Sequence, residues 1–96
     1  MLFEWDEAKN QANIDKHGIG FLRAQQIFDG PVVSWVASQM LGKEARLMSV
    51  GLLGNTLLLA VVHTDRSGVT RIISARPASR KERERYDQAL RSGTFS

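Results

Sequence analysis

Apolar positions recur at two spacings along this chain, and the change from one to the other falls near Pro31. Before that point the spacing is helical. Asp6 can accept from the free N–H groups of a first helical turn, and Glu7 suits the positive end of the helix dipole, which predicts a helix running to about Lys16. Lys16 and His17 fall in its last turn, and Gly18 can take the left-handed conformation that closes a helix. Trp5, just ahead of the cap, reads as a hydrophobic staple. Phe21, Ala24 and Phe28 then recur at helical spacing with Ile27 widening the stripe, and Asp29-Gly30-Pro31 breaks this second, short helix.

Past Pro31 the period shortens to that of strands. "PVVSWVAS" is β-branched and aromatic, and in "ARLMSVGLL" Leu47, Ser49 and Gly51 alternate with Arg46, Met48 and Val50. Gly54-Asn55 can turn the chain into "TLLLAVVHT", which is apolar on both faces as a central strand should be. "DRSG" is a further turn, and "VTRIISA" makes a fourth strand. Links this short join neighbours, so the sheet is expected to be an antiparallel meander. Pro77 keeps Arg76 out of helical geometry, leaving that arginine extended at the strand end. Ser79 and Glu82 form a capping-box pattern opening a helix from about Arg80 to Ser92, with Gly93 as its stop. Only Tyr86, Ala89 and Leu90 give it an apolar stripe, so it should dock lightly and keep its basic face wet. The expected fold is one α+β domain over residues 1–96: two N-terminal helices, a four-stranded antiparallel sheet and a C-terminal helix.

Composition narrows the class. A hydrophobic content of 43% suits a packed domain, and the absence of cysteine removes disulfides and thiolate metal sites. "TLLLAVV" is far too short to span a bilayer, and the acidic start lacks the basic and apolar regions of a signal peptide. A soluble cytoplasmic protein with no membrane association is expected. The net charge is only +3 but is unevenly spread. Arg66, Arg71, Arg76, Arg80, Lys81, Arg83, Arg85 and Arg91 crowd the last third, facing only Glu82, Glu84 and Asp87. Such a patch is either a solvated helix surface or the footprint of a polyanion, whose phosphates release counterions when lysine and arginine neutralise them.

The candidate chemistry follows from what is missing. A two-metal nuclease needs several converging carboxylates, and no paired-carboxylate motif occurs. Glu44-Ala45-Arg46 only faintly echoes a metal-nuclease element, with Asp29 as a distant partner. A phosphate loop, a metalloprotease helix and a nucleophile elbow are absent, and two histidines without thiols do not make a zinc site. Metal-free RNA cleavage asks for less: a base, an acid, and cations for the extra charge on phosphorus. Arginine matches phosphate oxygens in bidentate geometry, and histidine moves protons near neutral pH. Arg46, Arg71 and Arg76 lie on or beside strands, with Lys16, His17 and His63 as proton carriers. Each has a plainer reading: Lys16 and His17 as partners of a helix dipole, His63 as a satisfied strand-end residue, Glu44 as a partner of Arg46. Trp5 and Trp35 could stack bases. Arg71 and Arg76 alternate to opposite faces of a regular strand, so they can share a face only past the strand end or through a bulge.

The blocks FEWD, KHG, E-x-R, RIISAR and E-R-x-x-Y, kept in order over nearly the whole chain, resemble the BrnT toxins of bacterial type II toxin–antitoxin systems. The resemblance implies a RelE-like α+β fold and a metal-independent ribonuclease that halts translation. It also implies a ribbon-helix-helix antitoxin, BrnA, that neutralises the toxin and carries it to operator DNA. By position, the family's basic set falls on Lys16, His17, Arg46, Arg71 and Arg76. Read from the residues themselves, Glu44 and His63 are candidate accessories, and Arg80, Lys81 and Arg83 on the last helix are candidate RNA contacts. Two positions depart from the family pattern: Gly30, where an acidic residue often precedes Pro31, and Pro77, where a basic residue often follows SAR. The remaining alternatives are a non-catalytic basic module that blocks RNA or ribosome by charge, and an inactive toxin kept for antitoxin pairing.

Overall fold

The computed structural model describes residues 1–93, so the last three residues of the expected domain lie outside the described ones. The elements run β1 (Leu2–Trp5), α1 (Glu7–His17), α2 (Phe21–Ala24) continuing into a 3-10 turn (Gln25–Asp29), β2 (Val32–Ser38), β3 (Arg46–Leu53), β4 (Leu57–Arg66), β5 (Val69–Pro77) and α3 (Arg80–Ser92). The class is α+β with three helices, but the sheet has five strands and is mixed, ordered β1-β5-β4-β3-β2. Strands β2 to β5 form the expected antiparallel meander, with β4 at its centre. The correction is β1, which pairs parallel to β5 from Leu2 opposite Val69 to Trp5 opposite Ile72. Four residues are too few to display a period, and a parallel partner at the far end of the chain leaves no local signal.

The second helix also differs from its expected form. Only Phe21–Ala24 is α-helical, and the chain then winds more tightly. This turn lies close against β3: a Cβ on Gly51 would stand 2.9 Å from Val32 Cγ1 and 3.1 Å from Ile27 Cβ. The missing side chain lets the turn settle directly onto the sheet, with Phe21, Ala24 and Ile27 fully buried. Trp5 is no staple. The fourth helical position, Asn10, is polar and accepts the Phe21 N–H at 2.8 Å, so Trp5 packs edge-on against Phe21 at 6.1 Å instead.

The sheet is covered unequally. On one face Phe21, Ile27, Leu59, Val61 and Ile72 form the larger core with α1, α2 and the 3-10 turn. Each large side chain so buried contributes about 1.5–3 kcal/mol, which makes this face the main source of cohesion. On the other face α3 sets Tyr86 over Met48, Val50 and Ala60, and packs mainly on β2 and β3. The part of that face formed by the end of β4 and the start of β5 stays open.

Two polar devices hold β5 and α3. Beyond Ile72, β1 no longer flanks β5, yet the Ala75 N–H and C=O both point away from β4. Asn13 on α1 supplies both partners, accepting from the Ala75 N–H at 3.1 Å and donating to the Ala75 carbonyl at 2.7 Å. Its amide also donates to the Ile19 carbonyl at 2.8 Å, so one buried side chain continues the ladder where the strand ends. At the other end, the Arg76 guanidinium donates two bonds to the Glu82 carboxylate, at 2.7 and 2.8 Å. Glu82 also accepts from the Ser79 N–H at 2.8 Å, completing the capping box that starts α3. The Arg76 guanidinium, and then the Ser79 N–H, hold the Glu82 carboxyl at about 2, well below its usual 4.5, against the opposing effect of burial.

Two outcomes follow. Asn13→Ala strands buried backbone groups on α1 and β5, and we expect a loss of about 2–4 kcal/mol in urea unfolding. Because Glu82 is depressed in the folded state, its contribution is complete above the ordinary carboxylate range and disappears as pH falls from 4.5 towards about 2. Glu82→Gln keeps the capping box but not the charge. It should therefore cost about 1–2 kcal/mol at pH 7 and converge on the native protein near pH 2, as read by denaturation at several pH values.

Candidate functional site

The open part of the α3 face is a basic cleft of about 670 Å³. Three adjacent strands line it with Arg46 at the start of β3, Thr64 and Arg66 at the end of β4, and Arg71 and Ile73 at the start of β5. Lys9 reaches it from the first turns of α1, and Gly42, Lys43 and Glu44 from the loop before β3. Antiparallel pairing places these ends together: Arg71 stands opposite Thr64, and a tight turn at Ser67-Gly68 (φ 51° and 81°) connects the two strands.

A bulge sets which way β5 faces. Val62 pairs with Ser74 but the next residue, His63, pairs with Ile72, so Ile73 is the extra residue. Without it Arg71 and Arg76 would point to opposite faces. With it Arg71 opposes Thr64 and Arg76 opposes Ala60, both on the α3 face. Sharing a face does not make them meet. Thr64 and Ala60 are four strand positions apart, roughly 13 Å, and Arg76 is tied to Glu82.

Five cations and one carboxylate, Glu44, therefore line the cleft among the described residues. The neutralising contacts are loose: Glu44 to Arg66 is 3.9 Å and Glu4 to Arg71 is 3.6 Å, between side chains roughly half or more exposed. Such pairs stabilise little and exchange readily with an incoming anion. The guanidinium groups are thus placed by strands and held there without a committed partner, which suits phosphate recognition.

The structure brings together only part of the sequence-derived set. Arg46, Arg71 and Glu44 meet, joined by Lys9, Lys43 and Arg66, which sequence reading did not single out. Lys43 adjoins the E-x-R block and Arg66 adjoins the hairpin turn, but nothing local marks Lys9, which arrives across the sheet edge. Lys16 and His17 end α1 about 10 Å along the helix axis from Lys9 and do not line the cleft. His63 is buried on the opposite face, and Arg80, Lys81 and Arg83 lie exposed on α3, where Arg80 pairs with Glu84 at 3.6 Å. Neither tryptophan is a bare stacking surface: Trp5 covers Phe21, and the Arg85 guanidinium lies 3.8 Å over the Trp35 ring. Asp29 lines a separate depression beside Pro31 and Tyr86, and no three His, Asp or Glu side chains gather as metal ligands among the described residues.

Comparison with known proteins adds the family. Residues 5–82, from the end of β1 through the cleft to Glu82, match the family described as the ribonuclease toxin, BrnT, of type II toxin–antitoxin systems. Among solved structures, the crystal structure of the Brucella abortus ribonuclease toxin BrnT superposes with a TM-score of 0.61 at 27% identity, covering 83% of this chain and 100% of that one. No curated protein matches significantly. A family match spanning most of the chain, together with a shared fold, shows that this protein belongs to the BrnT family of type II toxin–antitoxin toxins.

Proposed function

We propose that this toxin is a metal-independent endoribonuclease whose reaction centre is the basic cleft of β3, β4 and β5. The observation that carries the reading is the arrival of Arg46, Arg66 and Arg71 from three neighbouring strands at one exposed spot, with Glu44 the one carboxylate that lines it among the described residues. Cleavage needs the ribose 2′-oxygen to attack phosphorus while the bond to the next nucleotide's 5′-oxygen breaks. Extra negative charge then builds on the phosphoryl oxygens, and preplaced guanidinium groups stabilise it. Arg46 and Arg71 take that role. Glu44 accepts the 2′-hydroxyl proton, and Lys43 or Lys9 returns one to the leaving oxygen. Metal ions are dispensable because guanidinium groups supply the charge, and a lone carboxylate is a poor cradle for a cation pair.

Arg76, Lys16 and His17 take flanking positions in this scheme, with Arg80, Lys81 and Arg83 steering the RNA backbone along α3. The protein acts as one domain over residues 1–96 in the cytoplasm, where cutting RNA stops translation. Its partner is a BrnA-like ribbon-helix-helix antitoxin that covers the cleft, and operator DNA is reached only through that antitoxin. No helix among the described residues is long and apolar enough to cross a membrane.

The decisive experiment maps new RNA ends produced by purified protein in excess EDTA. Cleavage should persist in EDTA, fall at least about 100-fold in Arg46→Ala, Arg71→Ala and Glu44→Gln, and change less than about threefold in Arg80→Ala. EDTA sensitivity reversed by added magnesium would replace this mechanism with a metal-dependent one. Salt-sensitive RNA binding without new ends would leave only a binding module.

A further inference from the structure

On the sheet face away from the basic cleft, four side chains from three strands join in one hydrogen-bonded chain. Asp65 Oδ1 lies 2.8 Å from His63 Nδ1, His63 Nε2 lies 2.7 Å from Ser49 Oγ, and Ser49 Oγ lies 2.7 Å from Ser34 Oγ. Strand pairing builds it. Ser34 and Ser49 stand directly opposite across β2 and β3, while His63 is diagonal to Ser49 on β4, with Asp65 two residues further along. Phe28 clamps the imidazole edge-on at 5.3 Å, fixing the ring from the side of the 3-10 turn.

The direction of the protons follows from the donor inventory. A carboxylate only accepts, so His63 Nδ1 carries a hydrogen, and in the neutral form of the ring Nε2 accepts. Ser49 must then donate to His63, which leaves the Ser49 oxygen to accept from Ser34. The Ser34 proton is committed inward and its lone pairs face out. Ser49 and His63 are 1% and 2% exposed and cannot meet a substrate, whereas Ser34 is half-buried. Ser34 opens into a depression of about 280 Å³ walled by Phe28, Val32 and Leu47. A serine whose proton can pass through a second hydroxyl to a carboxylate-oriented imidazole is an activated nucleophile.

We propose that Ser34 is the nucleophile of a second site, an acyl-transfer centre for short activated carboxylic esters, worked by Ser49, His63 and Asp65. Ser34 Oγ forms a bond to the acyl carbon as its proton moves to Ser49 and the Ser49 proton moves to His63 Nε2. Asp65 balances the resulting imidazolium. The tetrahedral adduct collapses by breaking the bond to the alcohol oxygen, which takes the proton back along the same chain. Water then repeats the sequence on the acyl-Ser34 ester, releasing the acid and restoring the hydroxyl. The apolar walls select a short acyl group.

The test is p-nitrophenyl acetate with the whole purified protein at neutral pH, following phenolate release and locating the acetyl group by peptide mass mapping. The expected result is a burst with acetyl on Ser34, lost in Ser34→Ala and slowed at least about 10-fold in His63→Gln and Ser49→Ala. Since Ser34 lies outside the basic cleft, Ser34→Ala should cut RNA like the native protein, which also reports that it folds. If the buried variants fail to fold, Ser34→Ala still decides. Acetylation confined to lysines or the amino terminus, or an undiminished burst in Ser34→Ala, overturns the proposal.

Discussion

The arrangement of this protein depends on how β5 is held between two unlike neighbours. On one side β4 pairs with it along its length, while on the other β1 stops at Ile72 and a single asparagine takes over. A buried N–H or carbonyl without a partner costs as much as several surface contacts return. Asn13 removes that cost at Ala75 and locks α1 to the strand at the same point. The extra residue, Ile73, lies between the last residue paired with β1 and the residue held by Asn13. The bulge is thus fixed from both ends, and with it the side of the sheet that Arg71 and Arg76 share.

The two faces then acquire different characters from the same alternation. One face carries the large apolar core and, towards its rim, a fully satisfied polar chain through His63; no buried side-chain nitrogen or oxygen among the described residues lacks a partner. The other is half covered, because the narrow apolar stripe of α3 packs mainly on β2 and β3 and reaches β4 only around Ala60. What α3 leaves bare is where strand ends present arginines. The bidentate Arg76–Glu82 pair marks the border between the covered and open parts, anchoring the helix start to the end of β5. One arginine is thereby spent on architecture, while Arg46, Arg66 and Arg71 keep loose or absent partners and face solvent. Like charges so gathered repel, but at this exposure water and salt screen most of that repulsion. A phosphate backbone would turn the remainder into binding energy.

Local interactions made much of this legible in the amino-acid order. The Asp6 cap, the left-handed Gly18, the Ser79–Glu82 box and the Gly93 stop are contacts between residues within a turn or two, so their signals sit side by side. The meander is legible for the same reason: its hairpin links are short, and the doubly apolar "TLLLAVV" belongs at the centre of a sheet. The family blocks also lie in contiguous stretches. What remained hidden joins distant segments: β1 beside β5, Asn13 on Ala75, Lys9 crossing the sheet edge into the cleft with Arg71, and Ser34 reaching Asp65 through Ser49 and His63.

The order of residues by itself therefore determined the outer helices with their caps, the four meander strands with their turns, the class of the fold and the abundance of strand-borne arginine, because each is written in neighbours along the chain. Only the tertiary structure decided which arginines meet and which one is spent on a helix. The parity of β5 hinges on one unpaired residue, and a bulge is set by what flanks a strand in space: here a parallel strand from the opposite end of the chain and one buried amide.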